Sequence, residues 1–215
     1  MKLPHYLVSG LLGAWLLAAC SHAENPSNRP LPGLVASQDI ADYKQFSAAQ
    51  KKLVDTSLSE AKELKLNSYV YASADPSKGG FDCSGSIFYL LKQCGYQPPR
   101  SSSAQYEWLK SAGEIHSVPA GTSSLDDPAF ADLQPGDLLF WSGTYSPKDK
   151  RANKITHVQM YLGVEKARGK AIMIGSSDGR SYQGKARCGF GVFDFKLPSS
   201  KSKSKFVGYG SPPSS

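Results

Sequence analysis

The hydrophobic periodicity of this 215-residue chain changes character once along its length, and that change limits the possible folds more than any other feature. Up to about residue 112 the apolar side chains recur at helical spacing; from about residue 138 they come in short runs that read as strands. Leu53, Val54, Leu58, Ala61 and Leu64 recur at three- and four-residue intervals after Ser47-Ala48-Ala49-Gln50, which has capping-box spacing, so a helix is expected to about Lys65. A second helix is expected over 83–94, with Ile87, Leu90, Leu91 and Cys94 on one side and Gly95 ending it in a left-handed cap. A third is expected over 102–112, with Ser102 and Gln105 as its capping pair. Gln134-Pro135-Gly136-Asp137 makes a turn before the apolar run 138–141, and further strands are expected at 157–162, 170–175 and 191–195. Helices first and strands second indicate an α+β fold, N-terminal helices packed on a small antiparallel sheet, rather than a doubly wound one.

The two ends read differently. Lys2 precedes an apolar run over 7–19 that is shorter than the ~20 residues a spanning helix needs, so 1–19 is expected to be an export signal. The run closes on Leu17-Ala18-Ala19-Cys20, which resembles the bacterial lipoprotein box. That resemblance implies lipidation of Cys20 as the mature N-terminus, and Ser21 after it implies the outer membrane of a Gram-negative bacterium, facing the periplasm. A plain signal peptide with a cysteine at its cut site is the alternative. Pro26, Pro30, Pro32 and Gly33 mark 20–37 as a tether that cannot bury enough area to order itself. The folded domain is then 38–198, followed by a Ser/Lys/Pro-rich tail, 199–215, in which only Phe206-Val207-Gly208-Tyr209 is suited to dock, as an edge strand.

Aromatic residues make up 11% of the chain, enough apolar area for a core, which excludes a disordered chain or a disulfide miniprotein. The net charge of +7 is spread along the chain without a nucleic-acid motif, so no nucleic-acid partner is expected. The basic loop of Lys148, Lys150, Arg151 and Lys154 reads as a solvated loop, with attraction of anionic carboxylates as the alternative. The four cysteines, at 20, 83, 94 and 188, have no zinc-ribbon spacing. An exported setting permits a Cys94–Cys188 bridge, although Cys94, on the inner side of its helix, reads equally as a buried thiol.

Gly79-Gly80-Phe81-Asp82-Cys83-Ser84-Gly85 places Cys83 between a glycine-rich loop and the first turn of a helix. Free N–H groups and the positive end of the helix dipole favour thiolate there, which makes Cys83 a candidate nucleophile with a lowered pKa. A nucleophilic thiol needs a base within hydrogen-bond reach, and His157, opening an apolar strand, is the histidine best placed for it. His5 and His22 lie in the leader and tether, and His116 follows a loop with no strand pattern.

Around these two residues the chain resembles the NlpC-type family of bacterial cell-wall cysteine peptidases. The motifs in register are Asn67-Ser68-Tyr69-Val70-Tyr71, then Gly79-Gly80 with Phe81-Asp82-Cys83-Ser84-Gly85, then Pro99-Arg100-Ser101-Ser102-Ser103-Ala104-Gln105. Leu133-Gln134-Pro135-Gly136-Asp137-Leu138-Leu139-Phe140 and Thr156-His157-Val158-Gln159-Met160-Tyr161-Leu162-Gly163 complete the set, the last resembling the family's His-Val-Gly-Ile-Tyr-Leu-Gly. The resemblance implies a papain-like fold with Cys83 as nucleophile and His157 as base. It implies that Tyr69, Asp82 and Ser84 bind the amino end of a short peptide. It implies peptidoglycan stem peptides as substrate, cut between γ-D-glutamate and meso-diaminopimelate, with no metal or organic cofactor. The family's third catalytic residue is commonly His, Asn or Gln on the next strand, where this chain has Ile174 or Gly175 according to register. Neither has a side chain that accepts a hydrogen bond, which leaves a backbone carbonyl, a water, Ser176 or Asp178 as substitutes. Two other functions follow from the same reading: a catalytically impaired peptidoglycan-binding lipoprotein on this fold, and an amidase or acyltransferase of related architecture.

Overall fold

The computed structural model describes residues 30–213, so the leader, Cys20 and most of the expected tether lie outside the described residues. Three helices, α1 (Ala48–Leu64), α2 (Cys83–Gln93) and α3 (Ser102–Ser111), precede most of the sheet. The strands are β1 (His116–Ser117), β2 (Leu138–Ser142), β3 (Ile155–Glu165), β4 (Lys170–Tyr182), β5 (Lys185–Asp194) and β6 (Lys205–Gly210). They pair antiparallel in the order β1-β6-β2-β3-β4-β5.

The helices begin where capping chemistry puts them. Ser47 and Gln50 form the reciprocal capping box, with bonds of 3.2 and 2.8 Å. Asp82 caps α2 by accepting from the Gly85 N–H at 2.6 Å. Gly95, at φ +92°, takes the left-handed conformation that closes α2 at little cost. The cap of α3 is Ser101, not Ser102, because the extended backbone belongs to Ser101, whose Oγ accepts from Ala104 N–H at 3.2 Å. Gln105 is buried instead and donates to the carbonyls of Ser84 and Pro99, both at 3.1 Å, tying α3 to the start of α2.

Alternation along the strands sorts the side chains onto two faces. Leu138, Phe140, Val158, Met160, Leu162, Ile172 and Ile174 pack under the helices with Leu53, Val54, Leu58, Ile87, Leu90 and Leu91. Leu139, Trp141, Tyr161, Met173 and Phe193 point the other way, into a second cluster with Phe130, Phe195, Phe206 and Tyr209. Both faces of the central strands are therefore dry.

The sheet is larger than the sequence reading at both ends. β6 is an inner strand between β1 and β2, not an edge, so the domain runs past residue 198. Glycine allows this: a Cβ at Gly208 would run into the His116 carbonyl of β1. At the other end Val192 N–H donates to the Gly33 carbonyl at 2.8 Å, so the segment expected to be tether to residue 37 already docks on β5. β4 continues seven residues beyond the expected stop at 175, through a polar Ser-Ser-Asp-Gly-Arg stretch that conceals it from an apolar pattern search. Cys94 and Cys188 are both buried free thiols, and no disulfide joins them.

Candidate active site

Cys83 is the first residue of α2, fixed against an extended segment in which Tyr69 bridges Phe81 and Val70 N–H donates to the Phe81 carbonyl at 3.0 Å. Its backbone N–H donates to Tyr69 Oη at 3.3 Å. Its Sγ donates to the carbonyl of Thr156 at 4.0 Å, and the next residue along β3 is His157. The fold thus brings Cys83 against β3 at the residue before His157, although the two lie far apart in the chain. Tyr69 stands beside the thiol, with its phenol pushed well up by burial and then by Cys83.

The thiol does not behave as its helix position alone suggests. Burial, and then the charge of Asp82, push the Cys83 pKa up; hydrogen bonds from Tyr69 and from the Val158 and Ser84 backbone oppose this without overcoming it. The expectation of a lowered pKa is corrected here, because desolvation penalises the thiolate more than the helix terminus favours it. The His157 pKa is driven well below the ordinary histidine value, first by burial and then by Arg180. Both shifts run the same way, disfavouring the charged thiolate and the charged imidazolium.

Arg180 is a residue that sequence reasoning missed. Its Nε donates to His157 Nε2 at 3.4 Å. Its guanidinium stacks over Trp141 at 4.2 Å, and Trp141 in turn meets the His157 ring edge-on with centroids 5.6 Å apart. Because arginine only donates, Nε2 is the accepting nitrogen and the imidazole proton sits on Nδ1. A shift in register between Ser177 and Arg180 turns the strand and delivers the arginine to this place. Trp141 was readable only as the end of an apolar run, and nothing in the local pattern around Arg180 marks it.

The register also decides the third position. Met160 pairs with Ile174, whose side chain lies in the helix-facing core, so Ile174 cannot orient the imidazole. Gly175 belongs to the His157 face: a Cβ there would lie 3.1 Å from Gln159 Cγ. Gln159 is fully buried and both its amide atoms lack a partner. Ser176 is turned to the helix side, where its Oγ donates to the Phe81 carbonyl at 2.8 Å and its N–H donates to Ser86 Oγ at 2.9 Å. Asp178 is exposed within the irregular stretch, and it is Arg180, two residues on, that reaches His157.

Asp82 and Ser84 are engaged within the protein. Asp82 accepts the cap bond and a forked pair from Arg100, Nη1 to Oδ1 at 3.1 Å and Nη2 to Oδ2 at 2.7 Å. Ser84 Oγ donates to Asp82 at 3.1 Å and accepts from Arg100 Nη1 at 3.1 Å. Their position next to Cys83 is as the sequence implied, but here their bonds hold α2 to Arg100. Among the described residues no group of three or more His, Cys, Asp or Glu is placed to hold a metal ion.

A cysteine at a helix N-terminus, set against an antiparallel strand that carries histidine, places the molecule in the papain-like α+β class. The chain belongs to the NlpC/P60 family, which matches residues 67–186. It is 28% identical over 109 residues to the bifunctional muramidase/DL-endopeptidase CwlT of Bacillus subtilis, covering 51% of this chain and 26% of that protein. It is 32% identical over 96 residues to the gamma-DL-glutamyl hydrolase of the same organism, covering 44% of this chain and 18% of that one. This chain thus aligns with about a quarter or less of those relatives' lengths. A solved NLP/P60-family structure from Staphylococcus aureus, described as similar to lipoprotein, overlays with a TM-score of 0.48 at 22% identity, over 79% of this chain and 43% of that one.

Proposed function

We propose that this protein is a peptidoglycan stem-peptide hydrolase, a cysteine endopeptidase that cuts the bond between γ-D-glutamate and meso-diaminopimelate. The observation that carries the reading is the contact of Cys83 Sγ with the Thr156 carbonyl, which sets the thiol beside the strand bearing His157. Family membership and relatives named as a DL-endopeptidase and a gamma-DL-glutamyl hydrolase support it. Once the Arg180 Nε contact with Nε2 is released, the unprotonated imidazole nitrogen of His157 takes the thiol proton and the sulfur attacks the scissile carbonyl. The C–N bond breaks, the imidazolium returns the proton to the leaving amine, and water then hydrolyses the thioester with His157 as base. In this reading Cys20 carries a lipid that holds the domain at the outer membrane, facing the wall.

Digestion of purified sacculi by the wild-type protein and by Cys83→Ala, followed by mass spectrometry, tests the activity. The expected product is a new amino terminus on diaminopimelate, absent with the variant. A second reading, peptidoglycan binding without cleavage, is favoured by the burial and the neighbouring guanidinium that lower the His157 pKa. Wall affinity with no product from the wild-type protein would establish it.

A further inference from the structure

We propose that Arg180 is the subsite for a free carboxylate on the residue that donates the scissile carbonyl, an inference that rests on the peptidase reading above. Arg100 is paired with Asp82, Arg151 with Asp149, and Arg168 with Glu165 and Asp194. Among the described residues no carboxylate pairs with Arg180, although it is half-buried beside the nucleophile and base. An unpaired cation at a site of low dielectric is costly unless a ligand supplies the anion. The Trp141 ring fixes the plane of the guanidinium and the Nε contact with His157 fixes its rotation. The terminal nitrogens are left as a preset fork of the geometry that carboxylates match.

The chemistry selects the substrate. In a γ-glutamyl peptide the residue that supplies the scissile carbonyl also keeps its α-carboxylate; in an ordinary α-linked peptide no main-chain carboxylate remains there. A carboxylate on Arg180 also screens the positive charge that opposes the imidazolium. Binding of that substrate thus relieves the second of the two influences that lower the His157 pKa, the first being burial.

The test compares L-Ala-γ-D-Glu-meso-diaminopimelate with the peptide whose glutamyl α-carboxylate is a carboxamide, using wild type and Arg180→Gln. The wild type is expected to favour the carboxylate peptide by about tenfold or more in kcat/KM, the range for one charge-assisted hydrogen bond. In Arg180→Gln that ratio should fall towards one. The same pair is measured for binding by calorimetry on Cys83→Ala and on Cys83→Ala with Arg180→Gln, where the affinity ratio should fall likewise. Equal use of both peptides by the wild type, or an equal loss on both in Arg180→Gln, overturns the proposal and leaves Arg180 as a partner of His157 or of the Cys83 thiolate. Failure of the peptidase reading is separate: cleavage is then absent, and the binding ratio alone supports or overturns the subsite.

Discussion

Gln159 occupies the room that Gly175 leaves on the His157 face of the sheet, with a Cβ at Gly175 only 3.1 Å from Gln159 Cγ. The two positions have exchanged bulk across β3 and β4: the resembling family motif has glycine where this chain has Gln159, and a polar third residue where it has Gly175. Gln159 is fully buried there with no protein partner for either amide atom, and arginine rather than an acceptor meets the imidazole.

The exchange predicts a coupled pair of substitutions. Gly175→His alone crowds Gln159 and puts a side chain on a backbone held at φ +156°, and should cost at least the ~1–3 kcal/mol of stability usual for overpacking. Adding Gln159→Gly should recover the crowding part of that loss and leave the backbone part, and urea unfolding of the four proteins of the cycle measures the coupling. Additive effects would show that the two side chains do not share the space.

Thiol reactivity carries a second prediction. With its pKa raised by burial, Cys83 is mostly protonated at neutral pH. Iodoacetamide labelling of the folded protein should be slow at pH 6 to 7 and climb steadily above the ordinary thiol range of about 8.5. A plateau of fast labelling at pH 6 would contradict the burial argument and restore the helix terminus as the stronger influence.

Asp137 should make stability depend on pH. Burial raises its pKa to about 6 from 3.8, against hydrogen bonds from Ser211 and the Gln134 N–H. A raised carboxyl pKa means the folded state binds the proton more tightly. The contribution is therefore full below the unfolded value and lost as pH rises through about 6. Relative to Asp137→Asn, the wild type should lose on the order of 3 kcal/mol between pH 3.5 and 7. Parallel stability curves for the two proteins would rule this out.

The anchor is tested in cells. Cys20→Ala should abolish incorporation of a clickable palmitate analogue and remove the protein from the outer-membrane fraction. Undiminished labelling would exclude Cys20 as the lipidated residue.

Local patterns made the helices and the two central residues legible. Capping serines, three- and four-residue apolar spacing and the left-handed glycine after α2 act within a turn or two of chain, so Ser47, Gly95 and the placement of Cys83 could be read directly. Recurrent motifs did the same for His157 on its strand. The cap of α3 was misplaced by one residue because Ser101, Ser102 and Ser103 are chemically alike, and only backbone conformation separates them.

What the sequence determined by itself was therefore the class of fold, the helix that begins at Cys83 and the strand that carries His157. The tertiary structure alone decided that Ile174 faces the core, that β6 enters the sheet, that Arg100 takes Asp82 and that Arg180 reaches His157. It alone set the direction in which the thiol and imidazole pKa values move. The physical reason is range: periodicity and capping are fixed by neighbours along the chain, whereas strand register, ion pairing and desolvation depend on residues that meet only after the chain has folded.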